Sequence, residues 1–149
     1  MAEDHAALLA RFRAIFASPA FETLGGEVLA LSVVEGTSEI AFLPRPEFCN
    51  PFGHVQGGFV TAMLDAASGI AAIAKSDFTC FVPTLDIRVS FLKPVPCARL
   101  IGRGQCLHLG RTIAFLEGSL HDEGGTLLAR TSVTSRVVRR DGTATDTRD

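Results

Sequence analysis

The chain has 149 residues, of which 47% are hydrophobic and 20% charged, and its net charge is −2. That length suits one domain with a core large enough to fold without staples. The near balance of 14 basic and 16 acidic residues gives no electrostatic footprint for nucleic acid as a partner.

Residues 4–17 place Leu8, Leu9, Phe12, Ile15 and Phe16 at helical spacing, with Arg11 and Arg13 between them. An amphipathic helix is expected there, ended by Ser18-Pro19. From Glu27 the pattern changes to strand: Val28, Leu29, Leu31, Val33 and Val34, then a turn at Glu35-Gly36-Thr37-Ser38, then Ile40, Phe42 and Leu43, stopped by Pro44 and Pro46. A Pro/Gly loop, Cys49-Asn50-Pro51-Phe52-Gly53-His54, leads to Gly57-Gly58 and a long proline-free run to Ala74. That run reads as a helix, apolar nearly all round and so buried, and too short and polar for a membrane span. Its one charged residue is Asp65.

The second half reads as four strands over 84–92, 99–107, 112–120 and 126–138, parted by Pro94-Val95-Pro96, Leu109-Gly110-Arg111 and Asp122-Glu123-Gly124-Gly125. These connections are too short for crossover helices, so the strands are antiparallel. A single apolar helix then needs a curved antiparallel sheet wrapped around it, an α+β arrangement. Residues 1–138 form one domain, with 1–20 as its N-terminal helix, and the polar stretch 139–149 is expected to be disordered. The cysteines Cys49, Cys80, Cys97 and Cys106 show no C-x-x-C pair and no histidine at zinc-finger spacing, so no metal site is expected. The start Met1-Ala2-Glu3-Asp4-His5 lacks a signal-peptide pattern, so reduced thiols and a cytoplasmic location are expected.

A carboxylate in an apolar helix must be hydrogen-bonded, paired or neutral. Asp65 reads either as a structural group bonded to Thr61 or Ser68, or as a base or nucleophile. Gly57-Gly58 at the helix start leaves unpaired N–H groups open to an oxyanion, or merely allows close packing. The eight residues from Gly57 to Asp65 span about 12 Å of helix, so one carbonyl cannot touch both. If both act on one substrate they come from two copies, as in a two-fold dimer with antiparallel central helices. Asn50 and Gln56 offer neutral amide donors, and His54 stands in the same loop.

The stretch Asn50-Pro51-Phe52-Gly53-His54-Val55-Gln56-Gly57-Gly58, followed by Asp65, resembles the signature of the phenylacetate-degradation-type (PaaI-like) hotdog thioesterases. The stretch Thr84-Leu85-Asp86-Ile87-Arg88-Val89-Ser90-Phe91-Leu92-Lys93-Pro94 is similar to that family's first long strand. The likeness runs over about residues 21–138. It implies a hotdog fold, homodimers that assemble into homotetramers, and hydrolysis of aryl- or medium- to long-chain acyl-CoA with no cofactor beyond the CoA of the substrate. By position it implies that Gly57 gives an oxyanion amide, that Asp65 attacks the thioester or activates water, that Asn50 helps orient the carbonyl or the nucleophile, and that Thr84 stands at a Ser/Thr position that places water in some members. Gln56 stands where histidine is usual; it can donate a hydrogen bond but cannot take up a proton.

The CoA diphosphate needs cations, for which Arg88, Lys93, Arg111 and Arg136 are candidates. Gly58, His54, Arg88 and Arg111 are the expected substrate-binding set. Phe52, Phe59 and Met63 are candidates for the acyl pocket, against the commoner reading of such residues as core. Two rival functions share the fold: a non-catalytic acyl-CoA binding or sensor module, and an enoyl-thioester hydratase in which His54 would move protons.

Overall fold

A computed structural model describes residues 4–140 of the chain. Helix α1 (His5–Phe16) begins where Asp4 caps it, its carboxylate accepting from the N–H groups of Ala6 and Ala7. Ser18-Pro19 ends α1, as its residue types predict, but also starts a short second helix, α2 (Pro19–Thr23). The Ser18 hydroxyl accepts from the Phe21 N–H at 3.2 Å and Pro19 takes the first helical position. Strands β1 (Glu27–Ser32) and β2 (Thr37–Phe42) follow, joined by a turn in which Gly36 has φ +66°. After a 3-10 turn at Pro46–Phe48 comes α3 (Gly57–Lys75). The remaining strands are β3 (Cys80–Phe81), β4 (Thr84–Phe91), β5 (Leu100–Leu109), β6 (Ile113–Asp122), β7 (Leu127–Arg136) and β8 (Val138–Arg139).

Six strands form one antiparallel sheet in the order β1-β2-β5-β6-β7-β4. Register shifts between Val28 and Ala30, Thr84 and Asp86, Cys106 and His108, and Leu120 and His121 each add local bend. The sheet thereby curls around α3. Val60, Met63, Leu64 and Ala67 of α3 are fully buried in one cluster with Ile40, Phe42, Leu100, Leu120 and Ala129. Each large side chain among them contributes on the order of 2 kcal/mol by leaving water.

Two glycines set how close the helix comes. A Cβ at Gly104 would collide with the backbone carbonyl of Ala67, and one at Gly118 would meet the Ser68 hydroxyl at 2.6 Å. The same approach lets Ser38 donate from its buried hydroxyl to the Ala67 carbonyl at 2.7 Å.

The helix is not enclosed on nearly all sides. Thr61, Ala62, Asp65, Ala66, Gly69 and Ile73 lie only half-buried, at the three- and four-residue spacing of one flank. A sheet on one side cannot cover this flank. The 19-residue α3 does reach membrane-spanning length with a mean hydropathy of 1.5, contrary to the reading of its sequence as too short and polar. Its most apolar face is spent on the sheet.

The polar tail begins later than its composition suggests. Val138–Arg139 pairs with Cys80–Phe81, and the Arg140 N–H donates to the Thr79 carbonyl at 2.8 Å. Residues 141–149, the rest of the expected disordered tail, lie outside the described residues, as do 1–3.

Candidate active site

Asp65 projects from the open flank of α3. Its expected local partners are occupied elsewhere: the Thr61 hydroxyl donates to the Gly57 carbonyl at 2.8 Å and the Ser68 hydroxyl to the Leu64 carbonyl at 2.8 Å, each one turn back. The carboxylate instead accepts, through Oδ1, the hydroxyl of Thr84 at 2.7 Å. That residue opens β4, 19 positions later, and is brought there by the β4–β7 pairing. Oδ2 has no hydrogen-bond partner among the described residues. A hydroxyl thus fixes one oxygen of the carboxylate and leaves the other unbonded among the described residues.

The carboxylate sits at the edge of a groove of about 500 Å³. Phe12, Phe16 and Phe21 from α1 and α2 form one wall, Gly69, Ile70 and Ile73 of α3 the floor, and Phe81, Val82 and Pro83 the far side.

Two of the other expected catalytic groups, Asn50 and Gly57, stand with His54 at the N-terminal end of α3. Asn50, His54 and Gly57 line a second cleft of about 430 Å³ together with Phe91, Lys93 and Val95. The loop that carries them is fixed by its own polar atoms. The Asn50 Oδ1 accepts from the N–H groups of Phe52 and His54 at 3.0 and 3.1 Å, the Val55 N–H reaches the Val95 carbonyl at 2.8 Å, and the Gln56 N–H reaches the Phe48 carbonyl at 2.8 Å. With its oxygen spent on the turn, Asn50 keeps the Nδ2 group free to donate outward, since no described residue bonds it.

Gln56 is the N-cap residue of α3; its side chain is exposed and makes no capping bond. Among the described residues nothing pairs with the N–H groups of Gly57 and Gly58. A Cβ at Gly57 would lie 3.2 Å from the Phe91 ring, while around Gly58 there is open space. Gly57 therefore serves packing as well as access, and Gly58 offers an approachable amide at the positive end of a helix.

Not every expected residue joins these two places. Arg88 pairs with Ser132 on the outward face of the sheet and lines a separate hollow with Glu117 and Arg130. Arg111 is exposed in the β5–β6 turn, and Arg136 is exposed on β7. The cation placed beside Asn50, His54 and Gly57 is Lys93. The three apolar residues expected at the acyl pocket do not line the groove: Phe52 is 84% exposed, Phe59 stacks on Phe48 with centroids 4.0 Å apart, and Met63 is wholly buried in the core. The rings that do line it stand on α1, α2 and β3. Their one signal in the sequence was the four-residue spacing of Phe12 and Phe16, which a core-facing helix shows equally.

All four cysteines are free. The Cys49 thiol is pushed up to about 11, first by the neighbouring Cys97 thiol and then by burial. Burial also raises Cys106. Among the described residues no group of His, Cys, Asp and Glu side chains is arranged to hold a metal ion.

The chain matches the model of the thioesterase superfamily over residues 52–129, a span that includes Gly57, Asp65 and Thr84. It is similar to a phenylacetic acid degradation-related protein of Ralstonia eutropha, at 31% identity and a TM-score of 0.78, covering 87% of this chain and 98% of that one. The phenylacetic acid degradation protein PaaI of Thermus thermophilus is 26% identical with a TM-score of 0.70, covering 80% of this chain and 98% of that one. Among curated proteins, ComA2 of Bacillus subtilis, named as a candidate esterase, is 27% identical over 118 residues, 76% of this chain and 94% of that one.

Proposed function

The chain belongs to the thioesterase superfamily, and we propose that it hydrolyses acyl-CoA thioesters at a site completed by a second copy of the chain. The observation that carries the reading is the Thr84–Asp65 hydrogen bond of 2.7 Å, which holds one carboxylate oxygen and leaves the other free at the edge of an apolar groove. In the proposed reaction water attacks the thioester carbon and gives a proton to Asp65 Oδ2. A C–O bond forms, the C–S bond breaks, and the proton passes to the departing thiolate. A thioester is already activated, so a positioned base with oxyanion donors is sufficient chemistry.

The donors are the free N–H groups at the start of α3 and the Asn50 amide. Within one chain the Gly57 N–H stands about 12 Å along the helix from Asp65, too far to serve the same carbonyl. Support for a second copy comes from β4. It is an edge strand of the sheet with its outer side unpaired among the described residues, and Leu85, Phe91 and Leu92 on or beside it are 59%, 55% and 53% exposed. Such an edge is a template for pairing with another strand. Antiparallel pairing of two β4 strands brings Asp65 and Thr84 of one copy toward Asn50, Gly57 and Lys93 of the other, twice over. Lys93 then faces the CoA phosphates in place of Arg88 and Arg111.

The test is thiol release from acyl-CoA by wild type and by Asp65→Asn. We expect release by wild type and a loss of at least a hundredfold in the variant, with thermal unfolding unchanged within a few degrees. Binding without release would favour the sensor reading. Consumption of an enoyl-CoA with no thiol set free would favour the hydratase reading.

A further inference from the structure

The groove beside Asp65 differs in kind from the cleft at the other end of α3. Its lining holds no charge except Asp65. The one further hydroxyl, Ser18, is already used to cap α2. Its rings are unfinished as a core: Phe16 and Phe21 are half-buried, Phe81 is 44% exposed, and α2 buries none of its five residues. Edge-to-face contacts join Phe12 to Phe21 at 6.1 Å and Phe16 to Phe81 at 5.5 Å, which keeps the wall together without filling the space below it.

The wall is held in place from its margins. Arg11 pairs with Asp77 at 2.8 Å and lies 4.6 Å over the Phe78 ring. Arg140 bonds the Phe78 carbonyl at 2.9 Å and lies 5.5 Å from the Phe16 ring and 5.6 Å from the Phe81 ring. Leu8 and Phe12 seat α1 in the core, and these clasps hold its exposed margin beside the groove.

We propose that α1 and α2 cap a binding channel for the hydrocarbon part of the thioester, and that the channel selects linear acyl groups of medium length. This rests on the thioesterase reading of Asp65. The floor runs along α3 from Asp65 through Gly69 to Ile73, eight residues or about 12 Å. An extended chain with C–C bonds of about 1.5 Å advances roughly 1.3 Å per bond, so that length takes about eight to ten carbons. A short acyl group or a single phenyl ring leaves most of the 500 Å³ unfilled. A charged nucleotide finds no partner there, so CoA itself lies toward the Lys93 cleft.

Gly69 supplies the test. It lies one turn beyond Asp65, and a Cβ there would meet only the Val82 side chain, at 3.8 Å. Gly69→Leu therefore blocks the channel about 6 Å from the carboxylate without touching backbone. Thiol release is measured for butyryl- to tetradecanoyl-CoA and for phenylacetyl-CoA. In wild type we expect kcat/KM to rise about fourfold per added methylene, up to eight to ten carbons, and then level. In Gly69→Leu we expect the decanoyl-to-butyryl ratio to fall by at least about tenfold. Ile73→Phe, at the far end, is expected to remove only the gain of the last few carbons, and it serves if Gly69→Leu does not fold. Calorimetric binding of decanoyl- and butyryl-CoA to the same proteins needs no turnover. Chain-length-dependent binding that the variants abolish, without thiol release, refutes hydrolysis and keeps the channel. A chain-length profile that is flat, or unmoved in folded variants, refutes the channel whatever the activity.

Discussion

Removing the Thr84 hydroxyl tests whether the carboxylate works because it is held. Thr84→Ala deletes the 2.7 Å bond to Asp65 Oδ1 and leaves that oxygen to water. A hydrogen bond to a charged group contributes about 1.5–3 kcal/mol net. Thr84 is exposed and Asp65 half-buried, so solvent screening reduces this to about 1–2 kcal/mol. If that energy is realised in orienting Oδ2 toward water, kcat falls about 5- to 30-fold. KM should change less than about twofold, because no substrate contact is removed. Thr84→Ser retains the donor and should recover most of the rate. The assay is steady-state thiol release by all three proteins, with unfolding midpoints measured in parallel. An unchanged kcat in Thr84→Ala, or no recovery in Thr84→Ser, would refute the positioning role.

Gly104→Val should strip α3 from the sheet, since its side chain would displace the Ala67 carbonyl and with it the buried Ser38 hydrogen bond. A loss of about 3 kcal/mol or more is expected in denaturant unfolding, and a loss below about 1 kcal/mol would mean that the contact relaxes freely. At pH 8 the Cys49 thiol, held up at about 11, should be alkylated roughly a hundredfold more slowly than an ordinary thiol of 9. Cys97→Ser should alter that rate, as read by peptide mass mapping, because Cys97 is the main cause of the shift. The shift favours the protonated thiol in the folded state. Its stabilising effect is therefore full below pH 9 and is lost as pH rises toward 11.

The central helix, the long strands and the polar residues of the Asn50–Gly58 loop could be read from sequence because each leaves a local pattern. Glycine pairs, a charge in an apolar run and period-two stretches are visible without a fold. Family likeness singles out Thr84 as a residue that positions water, and only the fold makes it the partner of Asp65. From spacing alone Thr61 and Ser68 were the natural donors, and both turn back to their own helix instead. The half-open flank of α3 was hidden because small residues such as Ala66 and Gly69 look the same on a covered face and on a channel floor. Helix α2 and the two-residue strands β3 and β8 are too short to carry a period, and long-range pairing makes them. Arg88 lies away from both clefts because alternation along β4 turns its side chain to the outer face with Ser132, a placement that depends on register rather than on residue type.

The claim that one site is built from two chains is tested most directly by complementation. Asp65→Asn and Asn50→Ala disable different halves of the proposed site, and each is expected to be inactive when expressed alone. Co-expressed and purified together through two different tags, the mixed dimers should recover thiol release. Each mixed dimer carries one intact site and one doubly altered site, so about half of wild-type activity per mixed dimer is expected. Mixed dimers as inactive as their parents, beside an active wild type, would place both groups in sites of a single chain and contradict the account.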